Sequence, residues 1–62
     1  MRIRAFRKLK GFTQHELAHL LGVSIAVVGA MERGIREPDH HMIQSISHVL
    51  GIEPRELSLK YM

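Results

Sequence analysis

The sequence predicts an all-α domain of five short helices, and three observations carry that prediction. In the stretch Thr13 to Glu32, TQHELAHLLGVSIAVVGAME, Thr13 and Glu16 have capping-box spacing, Gly22 suits a left-handed helix stop, and Ser24 can cap a second helix two residues later. Elsewhere apolar residues recur at three- and four-residue spacing, and no stretch alternates as a strand does. With 62 residues the chain has room for one small core, so residues 1–62 read as a single domain.

Helix one is expected over Met1 to Lys10, with Ile3, Phe6 and Leu9 on an apolar side and Arg2, Arg4, Lys8 and Lys10 opposite. Gly11 ends it, and Phe12 precedes the Thr13 cap, where it can staple against Leu17. Helix two runs from about Thr13 to Leu21, with Leu17, Leu20 and Leu21 inward and Ala18 allowing close approach. Helix three runs from about Ser24 to Arg33. Two helices separated by only Gly22 and Val23 must cross steeply, which is the geometry of a helix-turn-helix. On a helical wheel Val28 and Met31 face inward, Ala26, Gly29, Ala30 and Arg33 outward, and Ile25 and Val27 lie at the borders. Gly34 to Pro38 reads as a loop and Asp39 as the cap of helix four, whose Met42, Ile43, Ile46, Val49 and Leu50 share a side. Gly51 closes it, and Pro54 suits the first turn of helix five, with Leu57 pointing inward.

The net charge is +3, unevenly placed: residues 1–36 carry +5 and residues 37–62 carry −2. A one-sided positive field suits a polyanion partner, and a merely solvated basic face is the plain alternative. No cysteine is present, so disulfides and thiolate metal sites are excluded, and the composition fits a reducing cytoplasm. No run approaches the roughly 20 apolar residues of a membrane span. One Tyr, two Phe and no Trp make a stacking platform for single strands improbable.

An enzyme reading has one motif to rest on. His15-Glu16-Leu17-Ala18-His19 fits H-E-x-x-H, which on a helix puts two imidazoles on one side with a carboxylate between them. A third ligand and a walled cleft are wanting, and the capping box explains Glu16 better. His40 and His41 read as solvent-facing or as near a phosphate in the first turn of helix four, and His48 as a surface residue. Ser24, Ser45, Ser47 and Ser58 have no His/Asp constellation around them. The expectation is a protein that is not an enzyme and uses no cofactor or metal.

The order and spacing of Arg4, Arg7, Gly11-Phe12-Thr13-Gln14, Glu16-Leu17-Ala18, Leu21-Gly22-Val23-Ser24, Glu32-Arg33-Gly34, Pro38 and Leu50-Gly51-Ile52 resemble the Cro and λ-repressor-like (Xre-type) helix-turn-helix family of bacterial and phage regulators. The resemblance spans nearly the whole chain. It implies a compact five-helix fold whose third helix enters the major groove, usually as a dimer. It implies that Gln14 contacts phosphate at a helix N-terminus, where amides already favour anions. It implies an internal ion pair between Arg7 and Glu32. The candidate DNA-binding residues are then Thr13, Gln14, Ser24, Ile25, Ala26, Val27, Gly29, Ala30, Arg33 and Arg36, with Ser24 mainly a cap and Arg36 a backbone contact.

Helix three departs from that family. The outer side usually carries polar groups that read base edges, and here Arg33 alone could, from the far end. Two readings follow. Either small side chains bring the backbone close to the groove, Ile25 or Ala26 packs on thymine methyls, and phosphates dominate affinity. Or the apolar side binds another protein, as an antitoxin-like or anti-regulator module would. The basic half favours duplex DNA, bound as a homodimer in the cytoplasm on the nucleoid. Leu57, Leu59, Tyr61 and Met62 are candidates either for that dimer contact or for covering the domain's own core.

Overall fold

Five α-helices follow one another through residues 1–58, the part of the chain that the structure, a computed structural model, describes: α1 (Ile3–Leu9), α2 (Gln14–Leu21), α3 (Ile25–Glu32), α4 (His40–Leu50) and α5 (Pro54–Ser58). The boundaries are set by local chemistry. The Thr13 hydroxyl accepts from the Glu16 amide at 3.0 Å, while the Glu16 carboxylate accepts from the Thr13 amide at 2.8 Å, closing the capping box. Gly22 stops α2 at φ 72°, and the Ser24 hydroxyl accepts from Val27 to start α3. Asp39 caps α4 through the Met42 amide at 2.8 Å. Helix α1 is shorter than the pattern predicts, and no side chain caps it. The Arg2 amide instead donates to the Leu57 carbonyl at 3.0 Å, so the chain before Ile3 is spent on tying α1 to α5.

Every helix contributes to one core. Ile3, Leu17, Val28, Ile46 and Leu57 are fully buried, joined by Ala18, Met31 and Leu50. Phe6, Phe12, Leu21, Val23, Met42, Ile43, Val49 and Ile52 pack around them. Leu57 therefore belongs to the interior rather than to a free dimer face, and Leu59, Tyr61 and Met62 lie outside the described residues.

Two expected core leucines are exposed: Leu9 at 74% and Leu20 at 52%. For Leu9 the reason is angular. At about 100° per residue, a three-residue spacing retreats roughly 60° per step, so by the second step the side chain has rotated off the core face. The position four residues after Ile3 holds that face, and Arg7 occupies it, buried. In α2 the inward stripe is Leu17, Ala18 and Leu21, which leaves Leu20 on the rim of an open groove against α4.

Candidate nucleic-acid interface

Helix α3 is anchored through Val28 and Met31, which leaves Ile25 and Ala26 exposed at its N-terminal end. Ser24 is exposed beside them and holds its cap. Ala30 is half-buried, and its carbonyl accepts from the amides of Ile35 and Arg36 at 3.0 and 3.2 Å. That pair of bonds turns the chain after α3 and sets Arg36 out in solvent. Val27, at the border on the wheel, is half-buried. It packs against the core and lines a cleft with Val23, Met31 and Met42.

Gly29 departs from the wheel. It was expected on the exposed side of α3, and it is buried. What covers it is a side chain from one turn later: Arg33 Nη1 lies 3.1 Å from the point a Cβ at residue 29 would occupy, with Gln14 Nε2 at 3.9 Å. Side chains on a helix lean toward its N-terminus, so the Arg33 guanidinium sits back over α3 rather than at its far end.

Below that guanidinium lies a polar hub. Glu32 pairs with Arg7, whose Nε donates to Oε2 and whose Nη2 donates to Oε1 at 3.3 Å. Arg7 Nη1 also donates to the Phe12 carbonyl at 2.8 Å, so one guanidinium joins α1, the α1–α2 turn and α3. Gln14 donates its side-chain amide to Glu32 Oε1 at 3.0 Å. Burial pushes the Glu32 carboxyl up, but the hydrogen bonds from Arg7 and Gln14, with the charges of Arg7 and Arg4, outweigh it and hold the group below the usual glutamate value.

The hub forms the floor of an open cavity of about 400 Å³, lined by Arg4, Arg7, Gln14, Gly29, Glu32 and Arg33. Sequence reasoning missed two parts of it. Arg4 was placed only on the polar side of helix one, although its three-residue spacing from Arg7 signals a shared face. The bond from the Gln14 side chain to a partner 18 residues away is the other part, and it uses one of the two N–H groups of that amide. The amides of Gln14 and His15, first in α2, have no carbonyl to bond within the helix and remain the anion-facing groups there. Thr13 is exposed and committed to its cap.

The remaining candidates are placed plainly. His15 and His19 are exposed, Glu16 is held in the capping box, and among the described residues no three His, Cys, Asp or Glu gather as a metal site. His40, His41 and His48 are exposed. Ser47 is buried and donates to the Ile43 carbonyl at 2.8 Å. Among the described residues no helix is long and apolar enough to cross a membrane.

Comparisons with known proteins fit this geometry. A family model described as Helix-turn-helix matches residues 3–57. The chain is 51% identical over 57 residues to the uncharacterized HTH-type transcriptional regulator YazB of Bacillus subtilis (strain 168), covering 92% of this chain and 83% of that protein. It superposes on the restriction-modification controller protein C.AhdI from Aeromonas hydrophila with a TM-score of 0.84 and 43% identity, over 90% of this chain and 85% of that one. The N-terminal DNA binding domain of SinR from Bacillus subtilis gives a TM-score of 0.84 and 30% identity, over 95% and 87%.

Proposed function

The chain belongs to the Cro/C1-type helix-turn-helix family and is a DNA-binding transcriptional regulator, and from that premise we propose that it lays α3 in the major groove and draws most of its affinity from phosphates. The observation that carries this reading is the side of α3 left open by the core: Ile25 and Ala26 exposed at one end, Arg33 across the middle, Arg4 and Arg36 at the flanks. Ile25 and Ala26 suit thymine methyls. Arg4, Arg36 and the first amides of α2 suit backbone phosphates, which position the protein without reading sequence. The half-buried Ala30 lets the helix approach closely. Thr13 and Ser24 act through the helix ends that their hydroxyls cap, and Gln14 through the first amides of α2 while its side chain bonds Glu32.

A module this small covers few base pairs, so it works as a homodimer on two half-sites about 34 Å apart, one turn of duplex. It acts by binding rather than by a chemical step, in the cytoplasm on the bacterial nucleoid. Selection of duplexes from a random pool, at low and moderate salt, tests this. Enrichment of a two-fold symmetric site is expected. No retention of duplex at low salt, with a stoichiometric protein recovered instead, would select the reading in which the apolar side of α3 binds a protein partner.

A further inference from the structure

Helix α3 carries little that can read a base. Ile25, Ala26 and Ala30 have no side-chain donor or acceptor, and Glu32 is consumed by Arg7 and Gln14. Arg33 follows the last helical residue, yet its guanidinium reaches back over the gap left by the missing side chain of Gly29. Among the described residues it pairs with no carboxylate. We propose that Gly29 and Arg33 form one recognition unit, in which the absent Cβ at 29 is the berth that holds the Arg33 fork over the middle of α3, aimed at the O6 and N7 of a guanine. This rests on the reading that α3 faces the duplex.

The chemistry favours guanine over phosphate for this group. Arginine makes two parallel bonds to guanine in the major groove, a pairing that needs a fork held flat and in place. An arginine free at the end of a helix would serve a phosphate equally well. Here Nη1 and Cζ of the fork lie 3.1 and 3.9 Å from the Cβ point of residue 29, Gln14 Nε2 lies 3.9 Å from the same point, and Arg33 lines the open cavity. Gly29 is the positioning residue. It costs helix stability relative to alanine, and the berth is what that cost provides. A methyl at 29 would meet Arg33 Nη1 at 3.1 Å, a crowding that the far end of a flexible side chain relieves by giving way a few tenths of an ångström, so the fold accepts it while the fork is pushed off its berth.

The test uses the full chain and the duplex it enriches from a random pool, against a random-sequence duplex at one salt concentration. Six proteins are compared: wild type, Gly29→Ala, Arg33→Lys, Arg33→Ala, the double variant Gly29→Ala/Arg33→Ala, and Ala26→Asp. The enriched site is expected to contain a guanine in each half-site, at which Arg33→Ala loses about tenfold or more of its preference over other bases. Arg33→Lys keeps the charge and can still donate to guanine but lacks the planar fork, so it should lose part of the preference while binding random duplex as wild type does. Gly29→Ala should weaken the preference while melting no lower than wild type, and should add nothing to Arg33→Ala. Replacing the guanine by 7-deazaguanine should cost wild type affinity and leave Arg33→Ala unmoved. The proposal is overturned if no guanine is enriched, if Arg33→Lys keeps the preference undiminished, or if Gly29→Ala does. Ala26→Asp separates this failure from that of the parent reading. It should abolish duplex binding if α3 lies in the groove, and duplex binding undisturbed by Ala26→Asp would overturn the groove placement itself.

Discussion

At the scale of single residues, Glu32 decides the most. It receives Arg7 and Gln14, so it links α1, α2 and α3 through one carboxylate whose side chain is 3% exposed. The wheel could give the direction of Gln14 but not the distance to a residue on another helix, which is why that bond was illegible in the sequence. The Arg7 pairing was legible only through family resemblance. Removing one partner of a buried pair strands the other, at a cost of about 3 kcal/mol or more. A domain of this size holds a total stability of order 5 kcal/mol. Arg7→Ala should therefore unfold at a much lower urea concentration than wild type, and an unchanged midpoint would mean the pair is decorative. The pH dependence has a definite sign. The fold holds the Glu32 carboxyl below its ordinary value, so its contribution is complete above the unfolded value and drains away as pH falls through the folded one. Glu32→Gln should flatten that part of the acid limb, measured as urea midpoints from neutral to acidic pH. In an Arg7→Met background the same substitution should change the limb less.

Elements were the most readable scale, because what starts and stops a helix is local. Thr13 with Glu16, Ser24 and Asp39 all cap as their spacing suggested, and Gly22 and Gly51 take the left-handed conformation at φ 72° and 68°. What failed was set by packing between elements: the two residues lost from the start of α1, the exposed Leu9 and Leu20, the burial of Gly29. Periodicity says which side of a helix is apolar, not which neighbour arrives to cover it. The caps differ in quality, and that orders their effects. Thr13→Ala and Asp39→Ala each remove a cap bond of 3.0 Å or less and should cost about 1 kcal/mol. Ser24→Ala gives up a longer bond of 3.3 Å and should cost less. Thermal melts of the three variants would show this order, and a Ser24 effect as large as the Thr13 effect would contradict it.

At the scale of the whole molecule, charge is divided along the chain, +5 in residues 1–36 against −2 in residues 37–62. Arg4, Arg33 and Arg36 gather around α3, whereas Glu53 and Glu56 lie on the far side of the chain's order, Glu53 before α5 and Glu56 within it. The separation is incomplete, since Glu37 and Asp39 line the cleft that also holds Arg36. This division was legible as a charge count, but its placement around α3 was not, because Arg4 reaches the site from α1. It carries a quantitative consequence for DNA binding. Each phosphate neutralised releases condensed counterions, and log affinity falls against log salt with a slope of about −0.9 per contact. Between 50 and 200 mM salt, one contact is thus worth about 3.5-fold in affinity. Arg36→Ala should reduce the slope for random duplex by about one while weakening all sequences alike. Glu53→Gln, in the acidic half, should leave the slope where it was, since no phosphate is neutralised there. Binding isotherms over that salt range decide the matter: a wild-type slope near zero would remove phosphates as the main source of affinity, and an Arg36→Ala slope equal to wild type would remove Arg36 from the interface.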